Sequence, residues 1–295
     1  MSSNMAFNPL PWFMTVDGWR DDLAPPLPVM LAAIKAAGYD GVHAEVPKGS
    51  TPKTYLSLLT DHGLRPAPGY FQASFGDAAT IAATVESAGA VARDHAALGL
   101  DRIFLAEQFG VTPDRFATPA QGVNPDAARL SAIAGGISRA AEAMAREGVV
   151  PCLHQHVATR IETVDEANFV LDAIPPNILA VGPDTGHIAW TGADPAAFLK
   201  RHAGRIGAVH IKDIRRSVAD AVKRDGGGYR DAGARHIWTE PGRGDLDFNA
   251  VFAALVGFDG WFVVEVDIAD QPTVEQSAKV AADWLRPRLD ARARA

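Results

Sequence analysis

The feature that most constrains this chain is a repeated punctuation mark. Alanine-rich, helix-like segments end in glycine, and two or three residues later an apolar run begins. Ala36-Ala-Gly38-Tyr-Asp-Gly-Val, Asp61-His-Gly63-Leu-Arg-Pro, Ala97-Leu-Gly99-Leu-Asp-Arg-Ile and Arg146-Glu-Gly148-Val-Val-Pro all follow it, as does His202-Ala-Gly204-Arg-Ile. Glycine there acts as the left-handed cap that stops a helix and returns the chain to a sheet. The runs that follow, such as Arg102-Ile-Phe-Leu-Ala and Trp261-Phe-Val-Val-Glu, are nearly continuous in apolar residues. Strands of a parallel sheet read this way because both faces are buried.

Eight strands are expected, near 12–16, 41–46, 65–70, 102–107, 149–154, 178–184, 206–211 and 260–266. Helices are expected near 28–37, 53–62, 78–98, 125–147, 164–173, 195–202, 248–255 and 273–289. Eight β/α units in one chain predict an α/β fold with a single (β/α)8 TIM barrel over residues 1–295. A doubly wound sheet is the competing architecture, weakened by the lack of G-x-G-x-x-G after the first strand. One long irregular loop insertion is expected at about 215–245, placed to cover the site.

Composition removes several classes of function. One cysteine, Cys152, excludes a disulfide framework and a Cys-based zinc site, and fits a cytoplasmic location. No apolar run reaches the ~20 residues of a membrane span. The N-terminus lacks the basic region of a signal peptide. A net charge of −7 argues against nucleic acid as a partner.

The chemistry concentrates in Asp184-Thr-Gly-His187 and His210-Ile-Lys-Asp213, which end two successive strands. Active sites of α/β sheets and barrels sit at that edge. Carboxylate oxygen with neutral imidazole nitrogen is a donor set for a hard or borderline divalent ion. Each residue also has a plainer role: Asp184 as cap of the next turn, His210 as a satisfied core histidine. Other residues at the same edge are Glu45, Glu107, His154 with His156, Lys212, and Glu265 with Asp267. Glu265 ends an apolar run, so its carboxylate needs a partner: a cation, Lys212 or Arg243. Glu162 stands just ahead of a helix that Thr163 would cap, where a first-turn glutamate is favoured.

Taken together, His154-x-His156-x-x-Thr159-x-x-Glu162-Thr163, Asp184-Thr-Gly-His187, His210-Ile-Lys-Asp213, Pro241-Gly-x-Gly244-x-x-Asp247-Phe248 and Glu265 resemble the xylose-isomerase-like TIM barrels, the sugar phosphate isomerase/epimerase superfamily. The branch most similar is the inosose (2-keto-myo-inositol) dehydratases. The resemblance implies one divalent metal, Mn(II) before Co(II) or Mg(II), held by Glu, Asp, His and Glu on strands five to eight. Asp184, His210 and Glu265 match three of these positions. The fourth stays open between His154 and Glu162, with Glu162 preferred because it preserves three carboxylates and one imidazole. Ala158 stands where that branch commonly has glycine, and the N-terminal third matches no dehydratase signature.

The resemblance further implies a metal-dependent lyase acting on a keto-cyclitol or keto-sugar, by α-proton abstraction and β-elimination through a metal-stabilised enediolate. His154, His156 and Lys212 are the catalytic candidates. Glu45, Glu107, His187 and Arg243 are the substrate-binding candidates. No nicotinamide is expected. A ketose 3-epimerase or sugar isomerase, or cleavage of a 3-keto-glycoside, shares the same intermediate. A non-catalytic sugar-binding barrel is the reading from another class. The partners expected are a small polyol ketone and, as in related barrels, further copies of the chain in a dimer or tetramer.

Overall fold

The computed structural model describes residues 4–294. Eight parallel strands close a ring: β1 (Met5–Phe7), β2 (Gly41–His43), β3 (Arg65–Ala67, resuming as Tyr70–Ala73), β4 (Arg102–Glu107), β5 (Val150–Leu153), β6 (Ala180–Val181), β7 (Val209–Ile211) and β8 (Phe262–Val264). Ladders join β1–β2, β2–β3, β3–β4, β4–β5, β5–β6, β7–β8 and β8–β1. Single bridges, Val181 with Ile206 and Asp184 with His210, close the gap between β6 and β7.

The third strand breaks at Pro68-Gly69. Proline has no N–H for the ladder. Gly69 is needed for space: a Cβ there would lie 2.1 Å from the Ala44 carbonyl oxygen. The Gly69 carbonyl still accepts from Phe104 N–H at 2.8 Å, so pairing runs on across the break.

The helices lie outside: α1 (Leu27–Ala37), α2 (Pro52–Asp61), α3 (Ile81–Ala97), α4 (Ala127–Arg146), α5 (Val164–Ala173), α6 (Pro195–Arg201), α7 (Phe248–Ala254) and α8 (Val274–Arg294). Their starts and stops have local causes. Thr163 and Glu166 form a capping box at the head of α5. Gly38, with φ +103°, stops α1 in the left-handed region. Gly63, Gly99 and Gly148 also have positive φ. Gly204 does not behave as expected: it sits inside a 3-10 turn, Ala203–Arg205. Leu31, Ile34 and Leu59 are fully buried between sheet and helices, each worth ~1.5–3 kcal/mol of transfer free energy. Among the described residues no helix is long and apolar enough to cross a membrane.

Two expectations need correction. The first strand is Met5–Phe7, not 12–16. Residues Leu10–Trp12 form a 3-10 turn, and Met14–Thr15 pairs antiparallel with Gly18–Trp19 in a small hairpin. The segment 215–245 is not irregular. It folds into helices Arg216–Asp225 and Tyr229–Ala234, and a strand Trp238–Thr239 that pairs antiparallel with Asp213–Ile214.

Inside the ring, Ala6, Ala67, Phe104, Ala208 and Val263 form one packed layer. Side chains alternate along a strand. Two residues further on, strands β1, β2, β7 and β8 present Asn8, His43, His210 and Glu265, all buried. The next inward layer is therefore polar, and it lies at the carboxyl end of the barrel.

Candidate metal centre and active site

Asp184 performs both roles raised by its sequence. Its Oδ1 accepts from His187 N–H at 2.8 Å and caps the short helix Thr185–Trp190. Its Oδ2 is buried without a hydrogen-bond partner and lies 3.3 Å from Lys212 Nζ and 3.7 Å from His210 Nδ1. Thr185 fixes the register of the two motifs: its hydroxyl donates to the Lys212 carbonyl at 2.6 Å and accepts from Lys212 N–H at 2.9 Å.

Glu265 faces His210 from the next strand. Its Oε2 lies 3.1 Å from His210 Nδ1 and accepts from Asn8 Nδ2 at 2.5 Å. Its Oε1 lies 2.7 Å from Lys212 Nζ. The Lys212 ammonium, fully buried, also donates to Asp267 Oδ1 at 2.5 Å and lies 3.2 Å from His187 Nε2. It sits over the Trp238 ring at 4.7 Å. A buried ammonium persists only when such partners offset its desolvation. Burial alone would lower the Lys212 pKa, but Asp184, Asp267 and Glu265 outweigh it and hold the pKa well above the ordinary value. Burial opposes ionisation of Asp184 too, yet the Lys212 charge and the nearby imidazoles keep its carboxyl well below the usual range. The same balance, with His210 and Lys212 opposing burial, lowers Glu265. Asp267 is pushed up to about 6, by burial first.

His154 completes the cluster. Ligand atoms of His154, Asp184 and His210 lie within 4.8 Å of one another, as do those of Asp184, His187 and Glu265. Both ring nitrogens of His154 and of His210 are buried without hydrogen-bond partners. Burial first, then the neighbouring His210, outweighs Asp184 and Glu265 and holds His154 well below the ordinary imidazole pKa, which keeps it neutral and able to ligate. Three carboxylates here face one ammonium. A divalent cation would neutralise the excess and occupy the unpartnered nitrogens, so the residues fit the group.

Glu162 belongs elsewhere, which corrects its assignment as the preferred fourth ligand. Its Oε1 accepts from Ala120 N–H and Ala158 N–H, each at 2.8 Å, and its Oε2 accepts from Gly122 N–H at 2.8 Å. Those amides occupy three of its roughly four acceptor positions, and its carboxylate is not among the ligand atoms gathered around Asp184. It ties the loop after β4 to the loop after β5.

The catalytic candidates are near the cluster. The His156 ring lies 3.8 Å from that of His187, tilted by 42°, and packs against Phe109 at 4.9 Å. Its Nδ1 is 2.6 Å from the Val157 carbonyl, which favours the tautomer protonated at Nδ1. Burial first, then the Lys212 charge, pushes its pKa down to about 4.

Of the substrate candidates, only His187 is here. Glu45 is exposed, because β2 ends at His43 and the pleat does not extend to it. Glu107 alternates with the inward Phe104 and Ala106 and faces the helices; its Oε2 accepts from Phe75 N–H at 3.2 Å. Arg243 is exposed beside Glu240. The Pro241-Gly-x-Gly loop holds Asp213 instead: Gly242 and Gly244 N–H donate to its Oδ2 at 2.9 Å each.

Three residues at the mouth were not singled out from the sequence: Asn8, His43 and Tyr229. Alternation from Gly41 would have found His43. Asn8 would follow from a strand at Met5–Phe7. Tyr229 arrives from the insertion, donating to Asp267 Oδ2 at 3.2 Å, and no periodicity announces it. The insertion does cover the site, through Tyr229 and Trp238.

A family model for xylose isomerase-like TIM barrels matches residues 31–288, and the chain belongs to that family. Within it, the chain is 36% identical over 155 residues to the inosose dehydratase of Geobacillus kaustophilus (strain HTA426), a match spanning 51% of this chain and 50% of the relative. The chain thus spans about half the length of that curated relative. A second inosose dehydratase, from Geobacillus thermodenitrificans (strain NG80-2), is 28% identical over 260 residues, covering 85% of this chain and 87% of the relative. Among solved structures, the probable 3-DHS dehydratase AsbF of Bacillus anthracis superposes with TM-score 0.72 at 14% identity, over 96% of this chain and 98% of the other. An L-ribulose 3-epimerase gives the same TM-score, 0.72, at 18% identity, over 99% and 96%. The fold therefore does not choose between elimination and epimerisation.

Proposed function

We propose that this chain is a metal-dependent carbon–oxygen lyase acting on a keto-cyclitol such as 2-keto-myo-inositol, or on a keto-sugar. The observation that carries the reading is the buried cluster in which Asp184, Glu265 and Asp267 outnumber the Lys212 ammonium beside unpartnered imidazoles. The inosose dehydratase relatives support the substrate class.

His154, Asp184, His210 and Glu265 would hold the ion, with Mn(II) the metal that the family resemblance implies. When bound, the ion supplies Lewis-acid polarisation of a substrate carbonyl. His156, protonated at Nδ1 toward Val157, keeps Nε2 free to take the α-proton. Its low pKa leaves it unprotonated at neutral pH. Lys212 holds a proton at Nζ between Asp267 and Glu265, where it can stabilise negative charge on oxygen or protonate a departing hydroxyl. His187 packs against His156 and contacts Lys212, which orients both. Tyr229 and Trp238 exclude water above Lys212. Proton removal and hydroxide loss leave oxidation states balanced within the substrate, so no nicotinamide enters.

The test is incubation of Mn-loaded protein with 2-keto-myo-inositol and, separately, with a free ketohexose. Elimination gives a conjugated enol-ketone that absorbs in the near ultraviolet. His156→Ala should lower the rate by at least the ~10²-fold typical of a lost general base while the protein keeps its metal. Clean epimer formation from the ketohexose, with no ultraviolet change from the inosose, would replace the lyase by an epimerase.

A further inference from the structure

The mechanism draws on strands β5 to β8 and leaves the opposite side of the polar layer unassigned. There, Asn8 is committed: its Nδ2 donates to Glu265 and its Oδ1 accepts from Leu10 N–H at 3.1 Å. His43 is not. It is 7% exposed, and its Nε2 is buried with no hydrogen-bond partner. Its ring lies 5.9 Å from His210, 6.3 Å from Phe104 and 6.4 Å from Tyr70. The Tyr70 ring in turn meets His154 edge-on at 5.3 Å. His43 is thus in the same layer as the ion-binding cluster, across the barrel from His156 and Lys212.

A buried ring nitrogen left unpaired is costly to a fold. Such a group in a native protein calls for a partner. We propose that His43 is a substrate-binding residue that hydrogen-bonds a hydroxyl of the polyol ketone on the side of the ring away from His156. The assignment rests on the proposed function. A neutral imidazole offers one donor and one acceptor, and a hydroxyl is both. The apolar neighbours Phe104 and Tyr70 shield that bond from water, which strengthens it and makes the loss of either partner costly. A site of this kind discriminates against an analogue lacking the hydroxyl more sharply than an apolar pocket discriminates by size.

The test compares Mn-loaded wild type, His43→Phe and His43→Asn. Phe keeps a ring and removes both nitrogens; Asn keeps a donor and an acceptor on a shorter side chain. Calorimetric titration with 2-keto-myo-inositol gives affinity, metal analysis gives ion content, and steady-state kinetics separate KM from kcat. His43→Phe should weaken binding about tenfold to a hundredfold. Its kcat should move far less, and its manganese stoichiometry should match wild type. His43→Asn should recover part of the affinity. Wild-type affinity in His43→Phe overturns the assignment. Loss of manganese in both variants also overturns it, because His43 would then act as a prop for His210. If wild type binds the ketone without eliminating, the lyase reading falls while the affinity ratio still reports on His43. If wild type does not bind it, both fall.

Discussion

The two halves of the barrel mouth are chemically unlike. Strands β5 to β8 and the turns after them bring His154, His156, Asp184, His187, His210, Lys212, Glu265 and Asp267 into one buried network. Strands β1 to β3 contribute Asn8, His43 and Tyr70 to the same layer. The carboxylates that follow β2 and end β4, Glu45 and Glu107, are exposed or turned toward the helices. Buried charge is thus concentrated on one side. The other side offers neutral groups, which suit recognition of a neutral polyol, because neutral donors and acceptors bind hydroxyls without the desolvation penalty of a charge.

The largest effect that could break this contrast concerns the fourth ligand. His154→Ala should strip the ion, with a loss of affinity beyond the roughly 10–100-fold typical of removing a ligand's supporting partner. Glu162→Gln should keep the ion and lose stability instead. Its carboxylate accepts three amide N–H groups, and a glutamine amide turned toward one of them would leave a buried donor unpaired at ~1–3 kcal/mol. Elemental analysis beside urea unfolding separates the two. If Glu162→Gln loses the ion while His154→Ala retains it, the charged half extends into the loop after β5 and the division proposed here is wrong.

The next effect tests the quieter half. Burial pushes the Glu107 carboxyl up to about 7. A raised carboxyl favours the protonated folded state, so its stabilising contribution is full below the unfolded value near 4.5. It is lost as pH rises through about 7. That loss is on the order of 3 kcal/mol between pH 4 and pH 8. Glu107→Gln keeps an oxygen acceptor for Phe75 N–H and removes the titration. Its stability relative to wild type should therefore rise from pH 4 to pH 8, read from urea midpoints at several pH values. A difference that is flat with pH would mean that Glu107 is solvated, and the β4 end would then carry a charge after all.

How much of this was legible depended on what fixes each element. Helix α5 and strand β4 match their expected bounds, because a capping box and a long apolar run are local signals. The first strand was missed because three residues, Met5–Phe7, carry too little pattern, while the longer apolar run from Pro11 to Met14 drew the assignment. Pro11 lies in a 3-10 turn there, and the Val16-Asp17 turn pairs Met14–Thr15 with Gly18–Trp19 in a hairpin instead. Asp184, His210 and Glu265 were readable as donors because each follows an apolar run. The choice between His154 and Glu162 was not, since it turns on three backbone amides, two of them some 40 residues away in sequence. Arg243 was misplaced for a similar reason: the glycine-rich loop uses its backbone on Asp213, and its arginine points to solvent.

The smallest effect probes the backbone behind His156. Ala158 has φ +67°, a conformation that glycine adopts without strain. The left-handed region costs a non-glycine residue roughly 1–2 kcal/mol. The conformation is held because Ala158 N–H donates to Glu162 at 2.8 Å and its carbonyl accepts from Thr112 Oγ1 at 2.5 Å. Ala158→Gly relieves the strain, adds ~0.4–1 kcal/mol of unfolded-state entropy to overcome, and removes one buried methyl worth ~0.8 kcal/mol. The three terms nearly cancel, so the variant should unfold within about 0.5 kcal/mol of wild type. Ala140 is also fully buried but lies inside helix α4. There no strain is relieved, and Ala140→Gly should lose about 1.5–2 kcal/mol from propensity and packing together. Equal destabilisation in the two variants would mean that Ala158 is unstrained. The turn that presents His156 would then owe nothing to the Glu162 clamp, and the charged half would be held by its strands alone.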